Sequence, residues 1–170
     1  MTADELKLLG NVAGKRVLEL GCSDAEAAIA LAGQGAHVIA IAQPGGAHDR
    51  ARDAIERAEA KVELHAGDLA SLAFIRADTV DAAFSDGALR HVDDVDRVFR
   101  QVHRVLKTDA PLLVSVPHPF FEGSDYFDRT GNHRTIGDLF SALVRASFGV
   151  DHLLEPDNRS LVLRGRKLGN

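Results

Sequence analysis

The sequence is short of several features that mark large classes of protein. It has a single cysteine, Cys22, and no tryptophan among its 170 residues. One cysteine excludes an internal disulfide and also a zinc site built from several thiolates. A chain without paired cysteines fits a reducing compartment, and we expect this protein to be cytoplasmic.

Long apolar runs and an excess of positive charge are also missing. No uninterrupted apolar run approaches the roughly 20 residues that a helix needs to span a bilayer. Residues 1–16 lack a basic start followed by a long apolar stretch, so we expect no signal peptide. The net charge of −5 comes without the basic stripe of a general nucleic-acid binder. The sequence therefore predicts neither a membrane nor a nucleic-acid partner.

The histidines do not follow a metal-binding pattern. The chain has eight of them, and no two stand four residues apart on a predicted helix or beside further cysteines. Zinc sites usually show such spacings. We therefore predict no metal site.

Apolar strands alternate with amphipathic helices along the chain. The predicted strands cover 16–20, 36–41, 62–66, 80–84, 112–116, 150–154 and 160–164. The predicted helices cover 24–33, 47–60, 92–106 and 135–148, the first of them capped by Ser23 or Asp24. This alternation is typical of an α/β, Rossmann-like, doubly wound sandwich. We expect one domain over residues 1–170, with a seven-stranded, mostly parallel sheet and an antiparallel last strand.

Residues 120–134 form the one irregular stretch, which is polar and contains two glycines and several aromatic residues. A short substrate lid would lie here, but an ordinary crossover loop would have the same composition. The sequence leaves both interpretations open.

Small, polar and acidic residues follow the predicted strands, at the edge where open parallel sheets bind ligands. The stretches VLELGC, HAGDLASL, VDAAFSDGALRHVDDVDRVFRQVHRVLK and LLVSVPHP begin at positions 17, 65, 80 and 112. In this order and spacing the chain resembles a class I S-adenosylmethionine-dependent methyltransferase of the bacterial small-molecule group. The resemblance implies methyl transfer from S-adenosylmethionine to a small-molecule acceptor.

The resemblance assigns the first cofactor contacts to the loop after the first strand. Glu19 and Gly21 match the acidic residue and first glycine of the family motif, acidic-x-Gly-x-Gly-x-Gly, with Cys22 in the same loop. In the family the acidic residue helps to hold the amino group of the cofactor's methionine part. Ser23 and Ala25 stand where the family has its second and third glycines. A side chain in a left-handed conformation costs about 1–2 kcal/mol, but these two replacements are small enough for the loop to survive slightly shifted.

The resemblance also implies contacts to the nucleoside. At the end of the second strand the family has an acidic residue that accepts both ribose hydroxyls, whereas this chain has Ala42 followed by Gln43. The Gln43 amide offers a partial substitute. Asp68 matches the acidic residue for the adenine amino group, and Leu69 matches its neighbouring adenine contact. Loss of the ribose carboxylate predicts weaker cofactor binding.

Candidates for the acceptor side follow the fourth and fifth strands. Ser85 and Asp86 match the family motif that lines the methyl-transfer site. His91, His118 and His133 are the histidines nearest to the predicted cleft, and a histidine is the usual general base near neutral pH. We predict Asp86, His91 and His118 as the residues that face the acceptor, although a structural histidine is the commoner case for each.

Three other enzyme motifs fit less well. The stretch Gly21 to Ala25 resembles the nucleophile elbow of hydrolases, but that elbow belongs after a central strand of a longer chain. A dinucleotide-binding dehydrogenase would need Gly-x-Gly-x-x-Gly and an acidic residue after the second strand, and both are missing. No Gly-Lys-Ser/Thr sequence supports a phosphate-binding loop.

The alternative that remains is a catalytically inactive methyltransferase-like domain that acts as a binding or regulatory partner. Two loop glycines and the ribose carboxylate are replaced, and the leader and the lid are short for this family. A short cover leaves the acceptor pocket open or completed by another subunit, for example in a homodimer.

Overall fold

The computed structural model describes residues 1–120, 126–127, 132–157 and 159–169. Its sheet has seven strands within these residues, in the order β3-β2-β1-β4-β5-β7-β6. The strands are β1 (Arg16–Leu20), β2 (His37–Ala42), β3 (Val62–Ala66), β4 (Ala82–Asp86), β5 (Pro111–Pro117), β6 (Phe148–Leu154) and β7 (Ser160–Lys167). Strands β1 to β5 pair in parallel, and β7 runs antiparallel to both β5 and β6. The predicted fold class is confirmed.

Helices cover both faces of this sheet. They are α1 (Ala3–Leu6), α2 (Glu26–Gly33), α3 (Gly46–Arg57), α4 (Val95–Val105) and α5 (Ile136–Arg145), with short 3₁₀ turns at Lys7–Leu9 and Ala88–His91. Helices α4 and α5 belong to one hydrophobic core, and α1, α2 and α3 belong to the other. The sheet between them is therefore buried on both sides, which explains its near-continuous apolar strands.

Helix α4 shows how the sequence produces these elements. Asp94 accepts a hydrogen bond from the Arg97 amide at 2.8 Å and so caps the helix. Val98, Phe99 and Val102 follow at helical spacing and are fully buried against the sheet. The amphipathic period and the cap together define both the position and the orientation of the helix.

The last helix is shorter than the sequence predicts. Thr135 and Asp138 form a capping box at its start, as each side chain bonds to the other's backbone amide. The predicted range of 135–148 is wrong at its end, because α5 stops at Arg145. Ser147 has a left-handed φ of +62°, which breaks the helix, and Phe148 begins the edge strand β6 with its ring buried.

The predicted cap of α2 is also wrong. The residue at the N-cap position is Ala25, which has a left-handed conformation with φ +61° and makes no side-chain hydrogen bond to the helix. Asp24 instead accepts a hydrogen bond from the Glu26 amide at 3.2 Å. The helix starts at Glu26, two residues later than predicted, because the left-handed backbone at Ala25 cannot be part of a right-handed helix.

Parallel strands bring the ends of β1, β2 and β4 to one edge of the sheet. The loops that follow these strands are therefore neighbours, and they begin after Leu20, Ala42 and Asp86. The predicted lid at 120–134 lies for the most part outside the described residues. Within the described ranges, no helix is both long and apolar enough to cross a membrane.

Candidate functional site

A cavity of about 390 Å³ opens at the carboxyl edge of the sheet. Its walls come from the loops after β1, β2 and β4. The lining residues are Gly21, Cys22, Ser23, Gln43, Ala47, Arg50, Asp86, Gly87, Ala88, Arg90 and His91. Pockets for small ligands and cofactors usually have volumes of about 300–1,000 Å³, so the cavity has an appropriate size.

Glu19 lies on β1, two residues before Gly21; it is only 6% exposed and does not line the cavity. Its side chain hydrogen-bonds to the Cys22 thiol, while Oε2 has no partner among the described residues. The pKa of Glu19 is raised to about 7, mainly by burial; the Cys22 hydrogen bond opposes this rise, and the negative charges of Asp24 and Asp86 contribute to it. A buried carboxylate oxygen without a partner is costly in a folded protein, so it suits a bound cation.

Cys22 has the character of a structural thiol. It is 1% exposed, and its amide donates to the carbonyl oxygen of Ile41 at 2.8 Å. The pKa of the Cys22 thiol is raised to about 12, mainly by burial and secondly by the charge of the adjacent Glu19 carboxylate. The thiol therefore stays protonated near neutral pH and is not a nucleophile.

Gly21 is the point at which the loops after β1 and β4 meet. Its φ is +84°, and a Cβ built on it would lie 1.9 Å from Cβ of Ala88. Glycine is therefore required both for the backbone conformation and for the close approach. Ala88 fills the space that a side chain at Gly21 would occupy, so the glycine allows these two loops to pack together at the cavity wall.

The two replaced glycines differ in their conformations. Ser23 is exposed at the cavity wall, and its hydroxyl donates to Asp24 at 3.3 Å. Ser23 does not have a positive φ, so serine causes no backbone strain there. Ala25 has φ +61° and is fully buried, so it carries the left-handed cost. The loop thus keeps its course without two of the family's three glycines.

Asp68 and Leu69 follow β3 and do not line the cavity. Asp68 is exposed, and its Oδ1 accepts a hydrogen bond from the Ala70 amide at 3.0 Å. Leu69 is buried, with Cδ1 3.7 Å from the position that a Gly21 Cβ would take. Leu69 therefore packs beside the β1 loop, and the second carboxylate oxygen of the exposed Asp68 has no hydrogen-bond partner among the described residues.

The loop after β4 places Ser85 and Asp86 in different environments. Ser85 is fully buried, and its hydroxyl donates to the Leu20 carbonyl oxygen at 2.9 Å, which ties β4 to β1. Asp86 is the next residue along the strand and therefore points to the opposite face. It lines the cavity, and the Met1 amino group donates to its Oδ2.

The two predicted catalytic histidines lie in separate places. His91 is exposed at the cavity wall, and its Nε2 accepts from Arg90 Nε at 2.8 Å. His118 is 6% exposed and does not line the cavity. Its Nε2 is 2.6 Å from Glu155, and its Nδ1 accepts from the Phe120 amide at 3.2 Å. Both ring nitrogens of His118 are therefore engaged within the protein.

Five cavity residues were not predicted from the sequence: Ala47, Arg50, Gly87, Ala88 and Arg90. Ala47 and Arg50 belong to the first turns of α3, and a helix that starts at a strand tip directs its first turn towards the ligand edge. The start of α3 directly after β2 is therefore a feature of the sequence from which these two cavity residues could have been predicted. The described part of the chain contains no cluster of three or more histidine, cysteine, aspartate or glutamate side chains that could hold a metal ion.

Residues 18–114 match the family model described as a methyltransferase domain. This stretch is more than half of the 170 residues and runs from β1 into β5. The chain belongs to the methyltransferase domain family. It is an S-adenosylmethionine-dependent enzyme, and the buried Glu19 oxygen, which has no partner among the described residues, fits the ammonium group of that cofactor.

Solved structures share the fold of this methyltransferase. An S-adenosylmethionine-dependent methyltransferase from Mesorhizobium loti has a TM-score of 0.80 and 24% identity, covering 96% of each chain. A SAM-dependent methyltransferase from Aquifex aeolicus has a TM-score of 0.81 and 18% identity, covering 95% of this chain and 87% of that one. At such identities the likeness concerns the fold alone.

A third similar structure is geranyl diphosphate C-methyltransferase from Streptomyces coelicolor, solved with Mg²⁺, geranyl diphosphate and S-adenosyl-L-homocysteine. Its TM-score is 0.84 at 10% identity, with 97% of this chain and 77% of that chain covered. No curated protein matches the sequence at a significant level. The comparisons give no support to the catalytically inactive alternative.

Proposed function

We propose that this methyltransferase transfers the methyl group of S-adenosylmethionine to a small-molecule acceptor that enters the cavity beside Asp86. The observation that carries the proposal is the buried Oε2 of Glu19, which has no partner among the described residues and lies two residues before Gly21 of the cavity wall. Stability alone would favour an apolar residue at position 19, because an orphaned carboxylate is costly. A ligand with an ammonium group would satisfy it.

The remaining cofactor contacts follow the order of the strands. Glu19 would hold the amino group, and the loop Gly21 to Ser23 would lie along the chain of the methionine part. Asp68 and Leu69 at the tip of β3 would hold the adenine end, since β3 is two strands away from β1. Ser85 would act indirectly, because its hydroxyl holds β4 against β1 below the site.

The sulfonium of the bound cofactor supplies an electrophilic methyl carbon. The protein therefore has to align the acceptor and exclude water. Asp86 is the side chain best placed to accept a hydrogen bond or a proton from the acceptor, because it lines the cavity and is partly exposed. His91 offers Nε2 only when Arg90 moves away, and His118 would position the β5 loop through Glu155.

Several further features of the function remain predictions. We propose one methyltransferase-like domain over residues 1–170, in which residues 120–134 form either a short substrate lid or a crossover loop. We also propose a cytoplasmic, bacterial enzyme with no nucleic-acid or membrane partner, in which a homodimer or partner subunit completes the acceptor pocket. These proposals rest on the sequence and the family resemblance.

Calorimetric titration with S-adenosylmethionine and S-adenosylhomocysteine tests the proposed function. We expect binding in the micromolar range to the wild type, and at least tenfold weaker binding to Glu19→Gln, because the charge-assisted hydrogen bond is lost. The exposed Glu56→Gln variant on α3 serves as the matched control. No heat with either ligand at millimolar concentration would support the inactive alternative instead.

A further inference from the structure

The tip of β2 presents an unusual set of side chains for a nucleoside site. A ligand that reaches from Glu19 on β1 to Asp68 beyond β3 must cross β2, since β2 lies between them in the sheet. If the proposed function is correct, the ribose therefore lies over this tip. Ala42, where the family resemblance implies a ribose carboxylate, is fully buried and offers only a methyl group.

Arg50 is the charged residue that reaches the cavity from this side. It lies in the second turn of α3 and lines the same cavity as Gln43. Its Nη1 is 3.3 Å from the point where a Cβ at Gly46 would stand. A side chain at position 46 would therefore crowd the guanidinium, and the glycine leaves it room to lie against the start of α3, at the cavity wall.

The neighbouring arginines of α3 are used differently. Arg52 contacts the carboxylates of Asp49 and Asp53, each at 3.3 Å, and Arg57 donates to the Asp53 carbonyl oxygen at 3.1 Å. No carboxylate among the described residues pairs with Arg50. Its five N–H donors are therefore available to a ligand in the cavity.

We infer that Arg50 takes the place of the missing carboxylate and binds the ribose hydroxyls of the adenosyl ligand. A carboxylate accepts hydrogen bonds from the two hydroxyls, whereas a guanidinium donates to their oxygen atoms, and a hydroxyl can serve in either role. The planar fork of arginine suits two adjacent oxygen atoms. The Gln43 amide, on the same wall, can both donate and accept beside it.

A double-mutant cycle with a modified ligand tests this assignment. S-adenosylhomocysteine and its 2′,3′-dideoxy analogue are titrated calorimetrically into the wild type, Arg50→Met and Arg52→Met. Methionine keeps much of the apolar stem of arginine but removes every donor. Arg52→Met is the matched control, because Arg52 lies on the same helix and does not line the cavity.

We expect Arg50→Met to bind S-adenosylhomocysteine at least tenfold more weakly than the wild type. Loss of a hydrogen bond to a charged group usually weakens binding by about this factor. The dideoxy analogue should bind the wild type and Arg50→Met with constants within about threefold, and Arg52→Met should behave as the wild type. Equal losses for both ligands, or unchanged binding of S-adenosylhomocysteine to Arg50→Met, would overturn the assignment of Arg50 while the proposed function stands. A wild type that binds neither ligand would overturn both.

Discussion

The thiol of Cys22 hydrogen-bonds to Glu19, three residues before it, and the second carboxylate oxygen of Glu19 has no partner within the described residues. Cys22 lines the cavity formed by the loops after β1, β2 and β4, whereas Glu19 precedes this loop on β1 and is not part of the lining. The thiol is a weak donor and stays protonated, so it offsets only part of the cost of burying the carboxylate. The ionisation of Glu19 is therefore expected to affect the stability of the enzyme and, under the proposed function, its affinity for the cofactor.

The first prediction concerns the stability of the ligand-free enzyme. Burial raises the pKa of Glu19 from its ordinary 4.5 to about 7, so the folded state holds a proton that the unfolded state releases. The resulting stabilisation is complete below pH 4.5 and is lost as the pH rises through 7. We expect Glu19→Gln, which cannot ionise, to have the larger free energy of unfolding at pH 8, by up to about 3 kcal/mol.

Urea unfolding of both proteins at pH 5 and pH 8 measures this difference. At pH 5 most Glu19 side chains are protonated, so the advantage of Glu19→Gln should shrink. Glu56→Gln changes an exposed carboxylate on α3 and should shift neither curve by more than about 0.5 kcal/mol. Parallel pH profiles for the wild type and Glu19→Gln would show that Glu19 does not titrate in this range.

The second prediction concerns cofactor affinity. Under the proposed function an ammonium group binds the ionised form of Glu19, so binding below pH 7 would release the proton that the free enzyme holds. We expect S-adenosylhomocysteine to bind about tenfold more weakly at pH 6 than at pH 8. Calorimetry in two buffers of different ionisation enthalpy also measures the released proton. An affinity for Glu19→Gln that depends on pH as steeply as that of the wild type would assign the titration to another group.

The third prediction concerns Gly21. An alanine there would place its Cβ 1.9 Å from Ala88 Cβ and would also have to adopt φ +84°. Gly14 has a φ of +72° with open space around it, so Gly14→Ala separates the conformational cost from the clash. We expect Gly14→Ala to lower the free energy of unfolding by about 1–2 kcal/mol. Gly21→Ala should lower it further and abolish calorimetric binding of S-adenosylhomocysteine, because the β1 and β4 loops must separate. Equal losses for the two variants would show that the loops adjust freely.

Apolar periodicity predicts much of this fold, since burial on both faces of the sheet requires it. β1 and β3 have their predicted bounds, because polar or small residues flank their apolar runs. α1 and the 3₁₀ turn Ala88–His91 were not predicted. Four residues are too few to display a helical period, and contacts with the rest of the chain decide their conformation.

The site could be predicted less completely, because a strand end does not show which way a side chain turns. Ser85 and Asp86 are adjacent in the sequence, yet Ser85 is buried in the sheet and Asp86 lines the cavity. His118 was predicted from its place after β5, but its ring bonds to Glu155, 37 residues further on. The sequence pattern does not indicate that Arg50 lines the cavity, because arginines on an exposed helix face are usually solvated.

The fourth prediction concerns Ala25, which stands at the family's third glycine. Its left-handed φ of +61° costs about 1–2 kcal/mol in an alanine, and glycine would remove that cost. Glycine would also lose a fully buried methyl group, about 0.8 kcal/mol, and would give the unfolded chain more freedom, about 0.4–1 kcal/mol. We therefore expect Ala25→Gly to change the free energy of unfolding by less than about 1 kcal/mol.

Ala28 is equally buried but lies inside α2, so Ala28→Gly removes a methyl group without relieving strain and should destabilise the enzyme by about 1–2 kcal/mol. If urea unfolding gave equal losses for the two variants, alanine at position 25 would carry no strain, and the altered glycine motif would need another explanation.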